Sequence, residues 1–491
     1  MTMKTRFRAI NVALLLGAAP LASAGAADAP VETAVQLAAA TVQPERIILN
    51  LTADPATEMA ITWRSAPGLK GEVQYAKATN SPDYVKAPMT LPAITDDATL
   101  PVREDPAFHA AYHSAVLKGL EPDTVYAYRV GDGTHWSEWL QFHTAAKADA
   151  PFRFIYMGDM QNNILSEASR TLRMAFRKAG DAAFVIHAGD LINRHDSDAE
   201  WGEWFASGGF LYAQTPQMPT PGNHEYVKDE TARAGSSING QWRRQFTLPE
   251  NGPVDVPASR ETNWYTDYQG LRLISIDSMQ VDRDGKAQKA IVKWLDGLLA
   301  NNPSRWTVLF LHFPLFSSEP GRDNPKVRAA LKPLVDKYKV DLVLQGHDHG
   351  YARGAIGPDG PSADDAGATY AVSVAGPKMY DVGALPWAKK SASRTQAYQV
   401  IDVSPASLTY SAFTATGEPL DKVILHKPLH CPLPPDRPGR PVPRAAAVAA
   451  EMERHLEAIQ PDRQSGKNAP LRPFAGQFRL PGFGPAALQA E

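Results

Sequence analysis

Between residues 150 and 426 the chain repeats one pattern, a short apolar run followed by a stretch of helical period. The runs PFRFIYMGD, DAAFVIHAGD, GLRLISIDS, RWTVLFLHFP and VDLVLQGHDHG are mostly apolar at successive positions. A strand of that kind is buried on both faces. Amphipathic pieces at 167–179, 286–299 and 326–337 separate the runs. Together they predict an α/β domain over residues 150–426 with helices covering a central sheet. Two later runs, ATYAVSVAG and AYQVIDVS followed by SLTYSAFTA, predict added strands that close it.

Upstream the period changes from helical to alternating. Met59, Ile61 and Trp63 share one face of a predicted strand, with Ala60 and Thr62 on the other. Val125, Ala127 and Arg129 alternate in the same way with Tyr126, Tyr128 and Val130. Turn signals at Asp54-Pro55, Glu121-Pro122-Asp123 and Gly131-Asp132-Gly133 punctuate these runs. Short strands at such spacing predict a β-sandwich over residues 44–145.

The ends of the chain read differently. Lys4, Arg6 and Arg8 precede a mostly apolar run, and small residues follow at Ala22 and Ala24, so residues 1–26 read as a secretory signal peptide. Asn11, Gly17 and Pro20 interrupt that run, which falls short of the roughly 20 apolar residues a bilayer span needs. The expected mature protein is exported, periplasmic or secreted, without a membrane span. Residues 27–43 read as an alanine-rich linker, and 427–491 as a proline-rich tail with one predicted helix at 445–459. The 50 Lys and Arg against 53 Asp and Glu give no basic excess, which argues against a nucleic-acid partner. Cys431 is the single cysteine, so intramolecular disulfides and cysteine-rich metal sites are excluded.

Potential ligands cluster where the predicted strands end. MGD ends on Asp159 and AGD on Asp190; PGNHE carries Asn223, His224 and Glu225; LFLHFP carries His312; QGHDHGYAR carries His347 and His349. Sites in open α/β sheets form at the carboxyl ends of strands, so these five segments are expected to converge. A glycine before each aspartate permits a sharp turn out of the strand. Two carboxylates, one amide oxygen and three imidazoles suit Mn, Fe or Zn. They suffice for two metals if one carboxylate bridges.

The order GD, GD, GNHE, a strand-end His and GHDH resembles the calcineurin-like metallophosphoesterases. The GHDHGYAR ending, with the segments DPATEMAITW and LEPDTVYAYRVGDG before it, is similar to purple acid phosphatases and their fibronectin type III-like N-terminal domain. The resemblance covers roughly residues 44–425 and implies a β-sandwich followed by an α/β/β/α sandwich. It implies that Asp159 and His349 bind a first metal, that Asn223, His312 and His347 bind a second, and that Asp190 bridges them. It makes His224 the acid beside the leaving oxygen, Glu225 a supporting or turn residue, and Tyr351 part of the phosphate pocket. The implied activity is hydrolysis of small phosphate monoesters by in-line attack of a metal-bound hydroxide. Phosphodiester cleavage of nucleotides or lipid head groups at the same site is the alternative, and a non-catalytic exported binding protein is the alternative of another class. Predicted crevice loops at 201–210 and 235–257 would set substrate choice.

Histidines outside the set read as structural. His187 is expected in the core or behind the site, His195 with Asp196 in a solvated loop, and His109, His113, His135 and His143 on the sandwich surface or in cross-strand pairs. One departure from the family matters. Purple acid phosphatases carry an iron-binding tyrosine three positions after the second GD aspartate, where this chain has Asn193. Other metallophosphoesterases carry a histidine two residues after the first aspartate, where this chain has Gln161. Either amide is a candidate oxygen donor, and neither supplies a phenolate. The purified protein is therefore expected to be colourless or weakly coloured; a strong visible phenolate-to-iron charge-transfer band would contradict this.

Overall fold

The computed structural model describes residues 39–227, 237–362 and 367–428. The expected signal peptide, most of the linker, and the tail from residue 429 onward with Cys431 lie outside them. Strands β1 (Glu45–Asn50), β2 (Met59–Ser65), β3 (Glu72–Lys77), β4 (Met89–Pro92), β5 (Ile94–Thr99), β6 (His109–Leu117), β7 (Val125–Gly131) and β8 (Leu140–His143) form two four-stranded sheets, ordered β1-β2-β6-β5 and β4-β3-β7-β8. All their pairings are antiparallel. Met59, Ile61, Trp63, Tyr126, Tyr128 and Phe142 fill the space between them. The alternation read in β2 is real, but Ala60 and Thr62 are buried too. That outer face packs against the second domain, where the Thr62 and Thr247 hydroxyls lie 2.8 Å apart. His113 is buried rather than superficial, with Ser65 and Thr95 on its two ring nitrogens at 2.7 and 3.0 Å.

The second domain contains β9 (Phe152–Met157), α1 (Ser169–Lys178), β10 (Val185–His187), α2 (Asp198–Gly208), β11 (Gln217–Pro219), α3 (Trp242–Gln245), β12 (Trp264–Tyr268), β13 (Leu271–Ile276), α4 (Ser278–Arg283), α5 (Gly285–Ala300), β14 (Trp306–Leu311), α6 (Pro325–Tyr338), β15 (Leu342–Gln345), β16 (Tyr351–Gly357), β17 (Gly360–Pro361), β18 (Ala368–Val372), β19 (Lys390–Ala392), β20 (Ala397–Val403), β21 (Ser407–Thr414) and β22 (Pro419–His426). The central sheet read from the alternating pattern is two mixed sheets, as the α/β/β/α sandwich implied by the resemblance requires. One is ordered β11-β10-β9-β20-β21-β22; the other is β12-β13-β14-β15-β18-β16-β17, with β19 beside β16. Alternate residues of β14 show why. Val308 and Phe310 join the core that includes the first sheet, whereas Leu309 and Leu311 pack with the residues of α5 and α6. A strand buried on both faces looks the same in sequence whether its cover is a helix or another sheet.

The helices follow ordinary rules. Ala287, Ile291, Leu295 and Leu299 make one buried stripe on α5, and the Asp284 carboxylate caps its first turn by accepting from the Lys286 and Ala287 amides at 2.9 and 3.1 Å. Helix α2 occupies most of the segment read as a crevice loop at 201–210, with Trp201 and Trp204 fully buried. It is buried nearly all round, so it carries no amphipathic stripe.

A buried ion cluster joins the two domains. Arg46 of β1 reaches Asp198 at 2.8 Å and Arg64 of β2 reaches the same carboxylate at 2.9 Å. The Asp198 side chain is wholly enclosed. Removing one partner strands a charge in low dielectric, so Asp198→Ala should cost about 3–5 kcal/mol in chemical denaturation. Unchanged stability would show that the cluster is not a clasp.

Candidate metal centre

Six potential ligands follow strand ends of both sheets. Asp159 comes two residues after β9, Asp190 three after β10, Asn223 four after β11, His312 directly after β14, and His347 and His349 two and four after β15. Tight backbone turns deliver them. Asp159, Asp190 and His347 have φ of 36°, 49° and 72°, a left-handed region costly for side chains other than glycine. The glycines before the aspartates differ in role. Gly189 needs its φ of 85°, whereas Gly158 is required by close approach, since a Cβ there would sit 2.0 Å from the Ser373 carbonyl oxygen.

The side chains meet in two groups that share one residue. Ligand atoms of Asp190, His312 and His347 lie within 4.8 Å of one another, and so do those of Asp159, Asp190 and His349. Asp190 Oδ2 is 3.2 Å from His312 Nε2, which is itself 3.2 Å from Asn223 Oδ1. His349 Nε2 lies 3.6 Å from Asp159 Oδ1. All six predicted ligands are thus brought to one place.

Backbone carbonyls set the histidine tautomers. His312 Nδ1 donates to the Ala188 carbonyl at 2.8 Å, and His349 Nδ1 donates to that of Lys378 at 2.8 Å. A carbonyl only accepts, so Nδ1 keeps a proton and, in the neutral ring, each Nε2 lone pair faces the site. His224 is held likewise, Nδ1 donating to the Asn193 carbonyl at 2.6 Å, with Nε2 3.9 Å from Asp190 Oδ2. Burial keeps His347 neutral, down to about 2, and His349, down to about 3, and neutral imidazole is the ligating form.

Without cations the carboxylates are in conflict. Burial lifts the Asp159 carboxyl well above its usual range, and the Asp190 charge adds to this. Burial opposes ionisation of Asp190 as well, but His312 and His224 outweigh it and hold Asp190 below the usual range. His312, against its own burial, is pushed up to about 9 by Asp190. Positive charge placed among these groups resolves the conflict. The mixed oxygen and nitrogen donors fit Mn, Fe or Zn.

Supporting residues hold the ligand loops, and Glu225 of the GNHE motif takes the supporting place the resemblance implies. Glu225 accepts from the backbone amides of Gly222 at 2.6 Å, Asp190 at 3.0 Å, Leu191 at 2.8 Å and Ile192 at 3.4 Å. One carboxylate therefore ties the GNHE loop to the loop that holds Asp190. Asp348 accepts from the Ser318 amide at 2.6 Å and from Arg322 at 3.0 Å, anchoring the GHDH turn. Tyr380 lies against the His349 ring, centroids 4.7 Å apart. Burial of His187 against Gln217, at 2.8 Å, matches its structural reading. His195 pairs with Asn239 at 3.0 Å.

Tyr351 departs from its expected place. It is fully buried, and its hydroxyl donates to Asp421 on β22 at 2.8 Å, so the ring lies in the interior rather than lining a phosphate pocket. Alternation along β16 decides this, because the residue's face is set by its register with β18 and β19.

Comparison with known proteins agrees with the architecture. Residues 44–144 match the family described as the purple acid phosphatase N-terminal domain, and residues 152–351 match the calcineurin-like phosphoesterases. Mouse acid phosphatase type 7 is 27% identical, the match covering 64% of this chain and 71% of that protein. A probable inactive purple acid phosphatase 24 of Arabidopsis thaliana is 27% identical over 51% of this chain, and the match spans 44% of its own length. The structure of a purple acid phosphatase from yellow lupin seeds superposes with a TM-score of 0.66 at 20% identity, covering 78% of this chain and 74% of that one. With both family models matched in this order, the chain combines a purple acid phosphatase N-terminal domain with a calcineurin-like phosphoesterase domain.

Proposed function

We propose that this chain is an exported phosphatase that hydrolyses small phosphate monoesters with two divalent transition-metal ions. The observation that carries the reading is the Asp190 carboxylate, common to both ligand groups. In this assignment Asp159 and His349 serve one ion, Asn223, His312 and His347 the other, and Asp190 both. Such a pair of ions, when bound, neutralises phosphoryl charge and supplies a nucleophile at neutral pH. The acid phosphatase named among the relatives supports monoesters as the substrate class; residues 1–26 support export.

The chain's own groups do the rest. His224 has one ring nitrogen fixed on the Asn193 carbonyl and the other beside Asp190, so its Nε2 is the atom placed to hold a proton for the departing oxygen. The His224 amide donates to Asp190 Oδ1 at 2.9 Å, coupling the position of the acid to that of the shared carboxylate. Glu225 keeps both loops in register.

Turnover of an aryl phosphate against a bis-aryl phosphate tests the substrate class, and a faster diester reaction would replace the monoester reading with the diesterase one. His224→Ala should lower kcat by about 10²- to 10⁴-fold while metal content stays intact. Near-native turnover would remove His224 from the acid role. Metal uptake should also depend on pH. Protons held on Asp159 and on His312, which titrates up to about 9, compete with cations, so affinity should rise with pH toward that value. Calorimetric titration with Mn²⁺ in two buffers of different ionisation enthalpy should show proton release; buffer-independent heats would contradict it.

A further inference from the structure

The first ligand group has two carboxylates and one imidazole, and Gln161 stands against it. Gln161 is buried. Its Nε2 lies 3.0 Å from His349 Nε2 and 3.3 Å from Asp190 Oδ2. Its Oε1 is also buried and meets no hydrogen-bonding partner in the chain. The same is true of Asn162 Oδ1, next along the backbone. An unpaired buried carboxamide oxygen costs about 1–3 kcal/mol, so a pair of them in adjacent residues calls for a ligand.

The local backbone is held under strain. Asn162 and Asn163 have φ of 68° and 44°. The Gln161 amide donates to the Asp190 carbonyl at 3.1 Å, and Gly376 donates to the Asp159 carbonyl at 2.8 Å. Positive φ at successive residues persists only where surrounding contacts enforce it. These contacts fix the Gln161 side chain beside both Asp190 and His349.

We propose, resting on the two-metal reading above, that Gln161 is a ligand of the first ion through its amide oxygen. In the orientation seen, the –NH₂ group donates to the lone pair of His349. That lone pair is the one an ion would take, after which an –NH₂ facing the ion is repelled. A half-turn about the terminal torsion exchanges nitrogen for oxygen, and the two are told apart only by their hydrogen bonds. The oxygen then faces the ion beside His349 and Asp190. The donor is neutral, so this site takes a divalent ion in preference to the trivalent ion that an anionic phenolate favours.

The test titrates the full chain, stripped of metal, with Mn²⁺ alone, followed by elemental analysis after desalting. Wild type should hold two ions per chain. Gln161→Met keeps length and volume but removes the oxygen; it should keep one ion and bind the other at least about tenfold more weakly. Gln161→Glu retains an oxygen in the same place and should bind both ions at least as tightly as wild type. Thermal midpoints of the metal-free variants separate ligation from folding. A folded Gln161→Met with wild-type affinity for both ions overturns the assignment and leaves the two-metal reading standing, and so does weaker uptake by Gln161→Glu. A wild-type chain that never holds two ions overturns both.

Discussion

A single buried carboxylate, Asp190, organises this molecule. It belongs to both ligand groups, accepts from the His224 amide, and is held beside His312. Its charge adds to burial in lifting the neighbouring Asp159 carboxyl, whereas His312 and His224 outweigh burial and hold Asp190 itself ionised. The surrounding structure over-determines its position. Four backbone amides converge on Glu225, and the two loops they belong to carry Asp190 and Asn223. Rigid placement of ligands before any ion arrives is what lets a site select its geometry.

The sandwich connects to this centre through one helix. Arg46 and Arg64 grip Asp198 at the start of α2. Two residues on, the Glu200 carboxylate accepts from the Asn193 and Arg194 amides, both at 2.7 Å. The Asn193 carbonyl in turn receives the His224 ring proton. A continuous series of polar contacts therefore runs from the N-terminal domain to the proposed acid. These contacts join the sandwich to the loop beside the site, which a fold of that kind alone would not reveal.

Several features were readable from residue order, and some misreadings have identifiable causes. The ligand-bearing motifs could be picked out because each follows an apolar run with a turn-forming residue, and chance does not place five such endings in sequence. Helix α2 escaped because burial on every side erased its period, although Ser197 and Glu200 have the spacing of a capping pair, and the Ser197 hydroxyl accepts from the Glu200 amide at 3.2 Å. Ala60 and Thr62 on the outer face of β2 are small, and small residues suit the domain interface they occupy.

Residue order alone determined many of the strand and helix segments, the two-domain plan and the inventory of donors, since each depends on local period or on residue chemistry. Tertiary structure decided the rest: which strands each of the two sheets takes, that Tyr351 turns inward to Asp421, and that Gln161 stands beside His349. Those outcomes depend on which surfaces lie opposite one another. Contact between residues as far apart as 161 and 349 is set by the register of whole sheets, which no local window of the chain contains.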